Sequence, residues 1–382
     1  MTNGRDPNVK LYRSGVAAAL LAGAIALTAC SSDKKDTATT PPPAGDGGST
    51  SNSSSSAPGG ACVSGSLKAE GSTAQTNAIQ QWIKDYKSKC GADIAYNATG
   101  SGAGVKQFNG NQVDFAGSDS ALNPTKGEVA AAAKRCGGPA LDLPMVTGPI
   151  ALAFKVKGVS DLTLNPDTIA KIFTGKITKW DDPAIKALNS GASLPSTNIT
   201  VFYRSDESGT TENFEKYLAA VAPSVFTAAP SKTWAGKGQG KAKSQGVQQA
   251  ISSTEGSIGY LEWSFAGSAG LSMAKVDNGG GAVALDADSA GKAVSAATVT
   301  GTGDDLTLKL DYATKTAGAY PIILVTYEIA CAKYSDPKIG SLVKAFLTYT
   351  AGDGQAGLKD LGYAPLPSDI DAKVQASVAK IS

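Results

Sequence analysis

The alternation of strand-like and helix-like segments is the feature of this sequence that most limits its fold. Residues 67–70 and 93–97 have the short apolar pattern of strands. Between them, apolar residues recur at i, i+3, i+4 and i+7 from Ile79 to Tyr86, which predicts one face of a helix. A strand followed by a helix is predicted again over 199–221. Such repeated units predict an α/β protein in which helices cover mostly parallel sheets.

Three local predictions concern later segments of the chain. Pro124 is expected to open a helix that runs to Arg135, because proline suits the first helical turn. Residues 149–156 are apolar enough to form a buried strand. Residues 229–245 are rich in glycine and lysine and are predicted to form a surface loop.

The chain contains no histidine among its 382 residues, which excludes whole classes of chemistry. No imidazole base, no histidine metal ligand and no Ser-His-Asp or Cys-His arrangement is possible. A CxxC metal spacing is also absent from the sequence. The net charge of +2 gives no reason to expect nucleic-acid binding. We therefore expect no catalytic residue, no metal site and no cofactor.

The amino terminus resembles a bacterial lipoprotein signal. Basic residues from Arg5 to Arg13 precede a short apolar run over 15–27, and small residues then lead to Cys30. The apolar run is too short to cross a membrane as a mature helix. We predict that 1–29 is a cleaved signal peptide and that Cys30 carries a lipid. The protein would then be anchored at the cell membrane, on the extracytoplasmic face.

Residues 30–61 have the composition of a flexible tether. They are almost all Ser, Thr, Pro, Gly, Asp and Lys, so they offer nothing to anchor a core. The folded part is expected to begin near Cys62. The mature chain beyond Cys30 keeps an even number of cysteines, which in an exported protein predicts two disulfides. Three pairings are open for these four candidates, Cys62, Cys90, Cys136 and Cys331.

Three segments share one design: a strand end, a turn of Gly, Ser and Thr, and the start of a helix. They are residues 70–75, 99–104 and 204–211. The first turn of a helix carries unpaired N–H groups and a partial positive charge, so it can hold an anion. One such turn is an ordinary helix cap. Three in one chain favour an anion-binding site.

Two acidic residues lie close to these turns. Arg204 offers a planar fork of donors four residues before Ser208, and Asp206 lies between them. Asp206 is suited either to orient that fork or to form a surface pair, and the sequence leaves both open. Asp119 follows a predicted strand, a position that is typical of a helix N-cap.

With these residues in view, the chain resembles the phosphate-binding lipoproteins of the ATP-dependent phosphate-specific uptake transporter, of the periplasmic-binding-protein type II family. The resemblance covers residues 66–382. Seven motifs carry it: 71–75 (GSTAQ), 99–107 (TGSGAGVKQ), 113–119 (VDFAGSD), 175–182 (GKITKWDD), 204–211 (RSDESGTT), 256–260 (GSIGY) and 362–367 (GYAPLP).

The resemblance implies an α/β fold of two lobes joined by two hinge crossovers, with the ligand cleft between the lobes. Lobe I would comprise 62–143 and 318–382, and lobe II would comprise 144–317. All four cysteines of the folded part then belong to lobe I. The resemblance also implies that Asp206 steadies Arg204. The implied phosphate ligands are Ser72, Thr73, Ala74, Ser101, Asp119, Arg204, Ser208, Gly209 and Thr210.

In this family the carboxylate that matches Asp119 faces the anion, and protons explain why. An ionised carboxylate only accepts hydrogen bonds, and phosphate still carries a proton to donate, whereas sulfate does not. A ligand without that proton leaves the buried acceptor unpaired, and sites of this kind bind such a ligand about 10⁴-fold more weakly. The resemblance thus implies that Asp119 selects phosphate over sulfate.

The implied function is high-affinity binding of inorganic phosphate and its delivery to the membrane permease and ATPase subunits of an importer. We expect a monomer that is attached to the membrane through its lipid and binds no nucleic acid. The alternatives are a receptor for another oxyanion, such as arsenate or sulfate, a phosphatase on the same scaffold, and an adhesin with a vestigial site. Turnover of a phosphate ester would favour the phosphatase.

Overall fold

The computed structural model describes residues 62–382. The predicted signal peptide, Cys30 and the tether therefore lie outside the described residues. The described chain combines helices with a large sheet, which confirms the predicted α/β class. In this range no helix has both the length and the apolar character that a membrane span needs.

The strands vary in length from two to sixteen residues. They are β1 (Ser66–Gly71), β2 (Asp93–Ala98), β3 (Phe115–Ser118), β4 (Ala140–Lys155), β5 (Thr163–Leu164), β6 (Thr200–Arg204), β7 (Gln239–Lys241), β8 (Ser257–Glu262), β9 (Ser272–Met273), β10 (Lys275–Asp277), β11 (Ala282–Val283), β12 (Thr298–Val299), β13 (Leu308–Lys309) and β14 (Ile323–Cys331).

The main sheet has the order β2-β1-β3-β14-β4-β8-β6-β7, with β9 paired to β4. We call β1, β2, β3 and β14 the first strand group, and β6, β7 and β8 the second. Pairs β1–β2, β1–β3, β6–β7 and β6–β8 are parallel, but β14 and β4 run antiparallel to their neighbours. The prediction of mostly parallel sheets was therefore wrong at the centre. A buried apolar strand does not encode its own direction.

Strand β4 contacts both strand groups. Its residues Ala140 to Pro149 pair with β14, and Ile150 to Lys155 pair with β8. The predicted strand at 149–156 is thus the second half of a longer strand. Leu141 to Phe154 are all buried, so this strand has protein on both faces.

Helices cover the sheet and begin at several of its strand ends. They are α1 (Thr76–Cys90), α2 (Ser101–Asn109), α3 (Glu128–Cys136), α4 (Pro166–Phe173), α5 (Pro183–Leu188), α6 (Gly209–Val221), α7 (Lys243–Ser253), α8 (Trp263–Ser268), α9 (Ala287–Val294), α10 (Pro337–Ala351) and α11 (Ser368–Val378).

Two helix starts differ from the predictions. Helix α3 begins at Glu128 rather than near Pro124, because the Asn123 side chain holds a turn and Gly127 takes a left-handed φ of 72°. The predicted loop at 229–245 contains β7 and the first turn of α7. By contrast, the apolar face predicted around Ile79 is the buried face of α1.

Aromatic side chains fix α6 against the second strand group. The ring of Phe214 on α6 lies 4.7 Å from that of Tyr260 on β8 and 4.8 Å from that of Phe173 on α4. Tyr260 also accepts from or donates to Thr211, with 2.6 Å between the two oxygens. These contacts hold the start of α6 in place, next to the end of β6.

The structure contains two disulfides, as the cysteine count predicted. Cys62 pairs with Cys90 across α1, and Cys136 at the end of α3 pairs with Cys331 at the end of β14. The sequence left three pairings open, and the fold selects one of them by bringing the strand and helix ends together.

We expect the two disulfides to contribute unequally to stability. The Cys62–Cys90 bridge spans 28 residues and the Cys136–Cys331 bridge spans 195. Since a longer closed loop restricts the unfolded chain more, loss of the second bridge should cost roughly 1–2 kcal/mol more. Urea unfolding of the two Cys→Ser double variants measures this. Equal losses would contradict the loop-entropy account.

Candidate functional site

Four helix starts converge between the two strand groups. Helices α1 and α2 follow strands of the first group, and α6 and α7 follow strands of the second. The predicted residues at these starts are buried, and none of them is more than 3% exposed. This set comprises Ser72, Thr73, Ala74, Ser101, Ser208 and Thr210. First-turn N–H groups and hydroxyls from both groups therefore face one small region.

Close backbone approach brings the two sides together. A Cβ atom at Gly209 would lie 2.6 Å from the Asp119 Cβ and 2.8 Å from the Ser101 Oγ, so glycine is required there. At Gly102 a Cβ would lie 2.4 Å from the Glu207 Cβ. The Gly102 N–H also donates to the Glu207 carbonyl at 3.1 Å.

Asp119 is the acceptor at the centre of this region. The hydroxyls of Ser72 and Thr326 both donate to its Oδ1, the latter at 2.8 Å, and the Ser101 hydroxyl donates to its Oδ2 at 2.9 Å. Burial raises the pKa of Asp119 to about 6, although these three hydrogen bonds act to lower it. A carboxylate offers about four acceptor positions, so one on Oδ2 stays open after these three bonds.

Arg204 is held from one side by Asp206. Its Nε donates to Asp206 Oδ1 at 2.9 Å and its Nη2 donates to Oδ2 at 2.5 Å, a bidentate pair. Burial alone would lower the pKa of the Arg204 guanidinium, but Asp206 outweighs it and raises that pKa. The sequence left two roles open for Asp206, and in the structure Asp206 forms the pair that orients the Arg204 guanidinium.

The backbone N–H groups of two predicted ligand residues are engaged within the protein. The Ala74 N–H donates to the Ser72 Oγ at 3.0 Å, and the Ser208 N–H donates to the Lys232 carbonyl at 2.8 Å. The Ser208 hydroxyl caps α6 by accepting from the Thr211 N–H. These three groups are thus already part of the local hydrogen-bond network.

Three buried polar residues at this site were missed from the sequence. Ser244 lies 2.7 Å from Thr73, oxygen to oxygen, and accepts from Arg204 Nη1 at 3.1 Å. It fell within the predicted loop, so nothing marked it. Glu262 accepts from the Thr210 hydroxyl, and Thr326 donates to Asp119. Both are polar residues within apolar strands, which is a signal that could have identified them.

Contacts at the rim also join the two sides. Lys106 pairs with Glu207 at 2.7 Å, where both side chains are largely exposed, and such pairs add little stability. Lys232 pairs with Glu128 at 3.3 Å and is far more buried. Within residues 62–382, no group of three or more His, Cys, Asp or Glu side chains is arranged to hold a metal ion.

Comparison with known proteins identifies the family. Residues 56–353 match the sequence family described as a PBP superfamily domain. The phosphate-binding protein PstS 3 of Mycobacterium tuberculosis is 45% identical over 381 residues, which cover 98% of this chain and all of the relative. The chain belongs to the PstS family of the PBP superfamily.

More distant proteins are also similar to this chain. The phosphate-binding protein PstS of Xylella fastidiosa is 31% identical over 304 residues, which cover 78% of this chain and 80% of that protein. A human phosphate binding apolipoprotein is similar in structure, with a TM-score of 0.62 and 26% identity over 81% of this chain and 93% of its own. The phosphate-bound protein PfluDING has a TM-score of 0.65 at 24% identity, over 83% of this chain and 93% of its own, and so supports the fold of the family.

Proposed function

We propose that this protein binds inorganic phosphate and delivers it to an ATP-binding-cassette phosphate importer. It acts as a binding protein, not as an enzyme. The observation that carries the proposal is the buried Asp119 carboxylate, which keeps one acceptor position for a proton of the ligand. Donors on the other side, led by Arg204, suit the remaining oxygens of a tetrahedral anion.

The proposed ligand set spans both strand groups. Ser72, Thr73, Ala74, Ser101 and Asp119 would serve from the first side, and Arg204, Ser208, Gly209 and Thr210 from the second. Asp206 holds Arg204 in position. The Ala74 and Ser208 N–H groups would have to leave their present acceptors, so we assign these two the smallest contributions.

We further propose that the strand groups belong to two lobes that close over the anion. Lobe I would comprise 62–143 and 318–382, with 144–317 forming lobe II. Strand β4 supports this division, because its first part pairs with β14 and its second part with β8. The crossings near 143–149 and 317–322 would then be the hinges.

Calorimetric titration tests the function directly. The protein, stripped of endogenous phosphate, is titrated with phosphate and then with sulfate. We expect one-to-one phosphate binding of micromolar affinity or better and no heat with sulfate. Binding of both anions would contradict the role of Asp119, and binding of neither would overturn the function. Arsenate, which also carries a proton, should compete with phosphate.

The predicted lipid anchor requires its own test. We propose that the mature protein is held at the extracytoplasmic face of the cell membrane through Cys30 and there meets the permease and ATPase subunits. In cells, a Cys30→Ser variant should move from the membrane fraction to the medium or the soluble fraction, since acyl chains supply the membrane affinity. A variant that stays bound to membranes would contradict the anchor.

A further inference from the structure

Glu262 is a buried carboxyl that contacts the proposed site without belonging to its ligand set. It is the last residue of β8 and none of its surface is exposed. Its Oε1 contacts the Thr210 hydroxyl. Its Oε2 has no hydrogen-bond partner within the described residues. An ionised carboxylate in this position is costly, because half of its acceptor capacity is unused.

The contact has a consequence for Thr210, because a hydroxyl has only one proton. Arg204 Nη1 approaches the Thr210 Oγ1 at 3.4 Å, so that oxygen already accepts a hydrogen bond. When Glu262 is ionised it can only accept, and the Thr210 proton must go to Glu262. The Thr210 hydroxyl then has no proton for an anion.

The charges around Glu262 make an incoming anion unfavourable while this carboxylate is ionised. Arg204 faces it, but the guanidinium is already paired with Asp206. Asp119 faces it from the first strand group, and the phenol of Tyr363 faces it from the segment before α11. Before any anion binds, the carboxylates of Glu262 and Asp119 therefore already face a single cation, Arg204, which is itself paired with Asp206.

We propose that Glu262 takes up a proton from solvent when phosphate binds. The proton resides on Oε1 and is donated to the Thr210 Oγ1, so that the Thr210 hydroxyl turns its own proton to the anion. Glu262 is thus a positioning residue that acts through Thr210. The inference rests on the proposed function, because it concerns the same anion site.

The test counts protons. Phosphate is titrated calorimetrically at pH 7.0 in two buffers of different ionisation enthalpy, using the wild type and the Glu262→Gln variant. Any protons that phosphate itself gains or loses on binding are the same for both proteins, so they cancel in the difference between the two proton counts. We expect Glu262→Gln to take up fewer protons per phosphate by about 0.5 or more. Its affinity should also change less steeply than that of the wild type between pH 6.0 and 8.5, since the amide can always donate to Thr210.

The matched control is Glu328→Gln. Glu328 is also fully buried and also faces Asp119, but within residues 62–382 it makes no hydrogen bond to a proposed ligand. Burial raises its pKa to about 8, so it is already protonated at pH 7.0. The control should therefore keep the proton count of the wild type.

The failures of the two proposals are distinguishable. If the wild type binds no phosphate at any pH, the proposed function itself is wrong. If the wild type binds but Glu262→Gln takes up the same number of protons with a parallel pH profile, only the role of Glu262 is wrong. Infrared difference spectra of the wild type require no variant. Phosphate should produce a protonated-carboxyl band, and its absence would overturn the proposal.

Discussion

Replacing Asp119 with Asn is expected to let the protein bind sulfate. In the wild type the carboxylate accepts hydrogen bonds from the hydroxyls of Ser72, Ser101 and Thr326. One acceptor position is left for a proton of the ligand, which phosphate carries and sulfate lacks. The neutral amide in the Asp119→Asn variant removes the repulsion and can donate to a sulfate oxygen. Discrimination against sulfate, about 10⁴-fold or more for sites of this kind, should largely disappear. Calorimetric titration of the variant with both anions measures the change.

The pH dependence of sulfate binding tests the same prediction independently. Burial raises the pKa of Asp119 to about 6, so the wild type carries the neutral acid at pH 5 and the carboxylate at pH 8. Sulfate binding to the wild type should therefore increase as the pH falls through 6, and the part of this increase that comes from protonation of Asp119 should be lost in Asp119→Asn. Asp114→Asn, which changes an acid outside the site, is the control and should keep full selectivity. Unchanged selectivity in Asp119→Asn would remove the proton argument.

Replacing Arg204 with Ala is expected to weaken phosphate binding by about 30-fold or more. The Arg204 side chain is 2% exposed, and the bidentate pair with Asp206 fixes the orientation of its guanidinium. Its removal takes away a charged donor and leaves the Asp206 carboxylate without its cation near the anion. Titration with phosphate gives the affinity, and thermal unfolding verifies that the variant is folded.

Two further variants separate charge from geometry at this position. Arg204→Lys keeps the charge but loses the planar fork, so its affinity should lie between those of the wild type and Arg204→Ala. The double variant Arg204→Ala/Asp206→Ala should bind more tightly than Arg204→Ala alone, because the stranded carboxylate is gone. If Arg204→Ala binds as well as the wild type, the anion site has been assigned to the wrong place.

Local signals in the sequence predicted the local structure well. The apolar spacing around Ile79 predicted the buried face of α1, and the glycine-containing turns predicted the starts of α2 and α6. The helix expected at Pro124 was wrong because a side-chain turn at Asn123 and a left-handed Gly127 delay it. In each case the interactions that decide the local structure lie within a few residues along the chain. The error at Pro124 arose because a turn competes with the helix there.

The sequence by itself determined the α/β class, the number of disulfides and the three turns of Gly, Ser and Thr that lead into helices, because each depends on residues that are neighbours along the chain. Only the tertiary structure decided which cysteines pair, that β4 and β14 run antiparallel through the sheet, and that Ser244 and Glu262 reach the site. Ser244 meets Thr73 across 171 positions, and Glu262 meets Thr210 across 52. Contacts at such separations follow from how strands order and helices pack, and no local pattern of residue types encodes them.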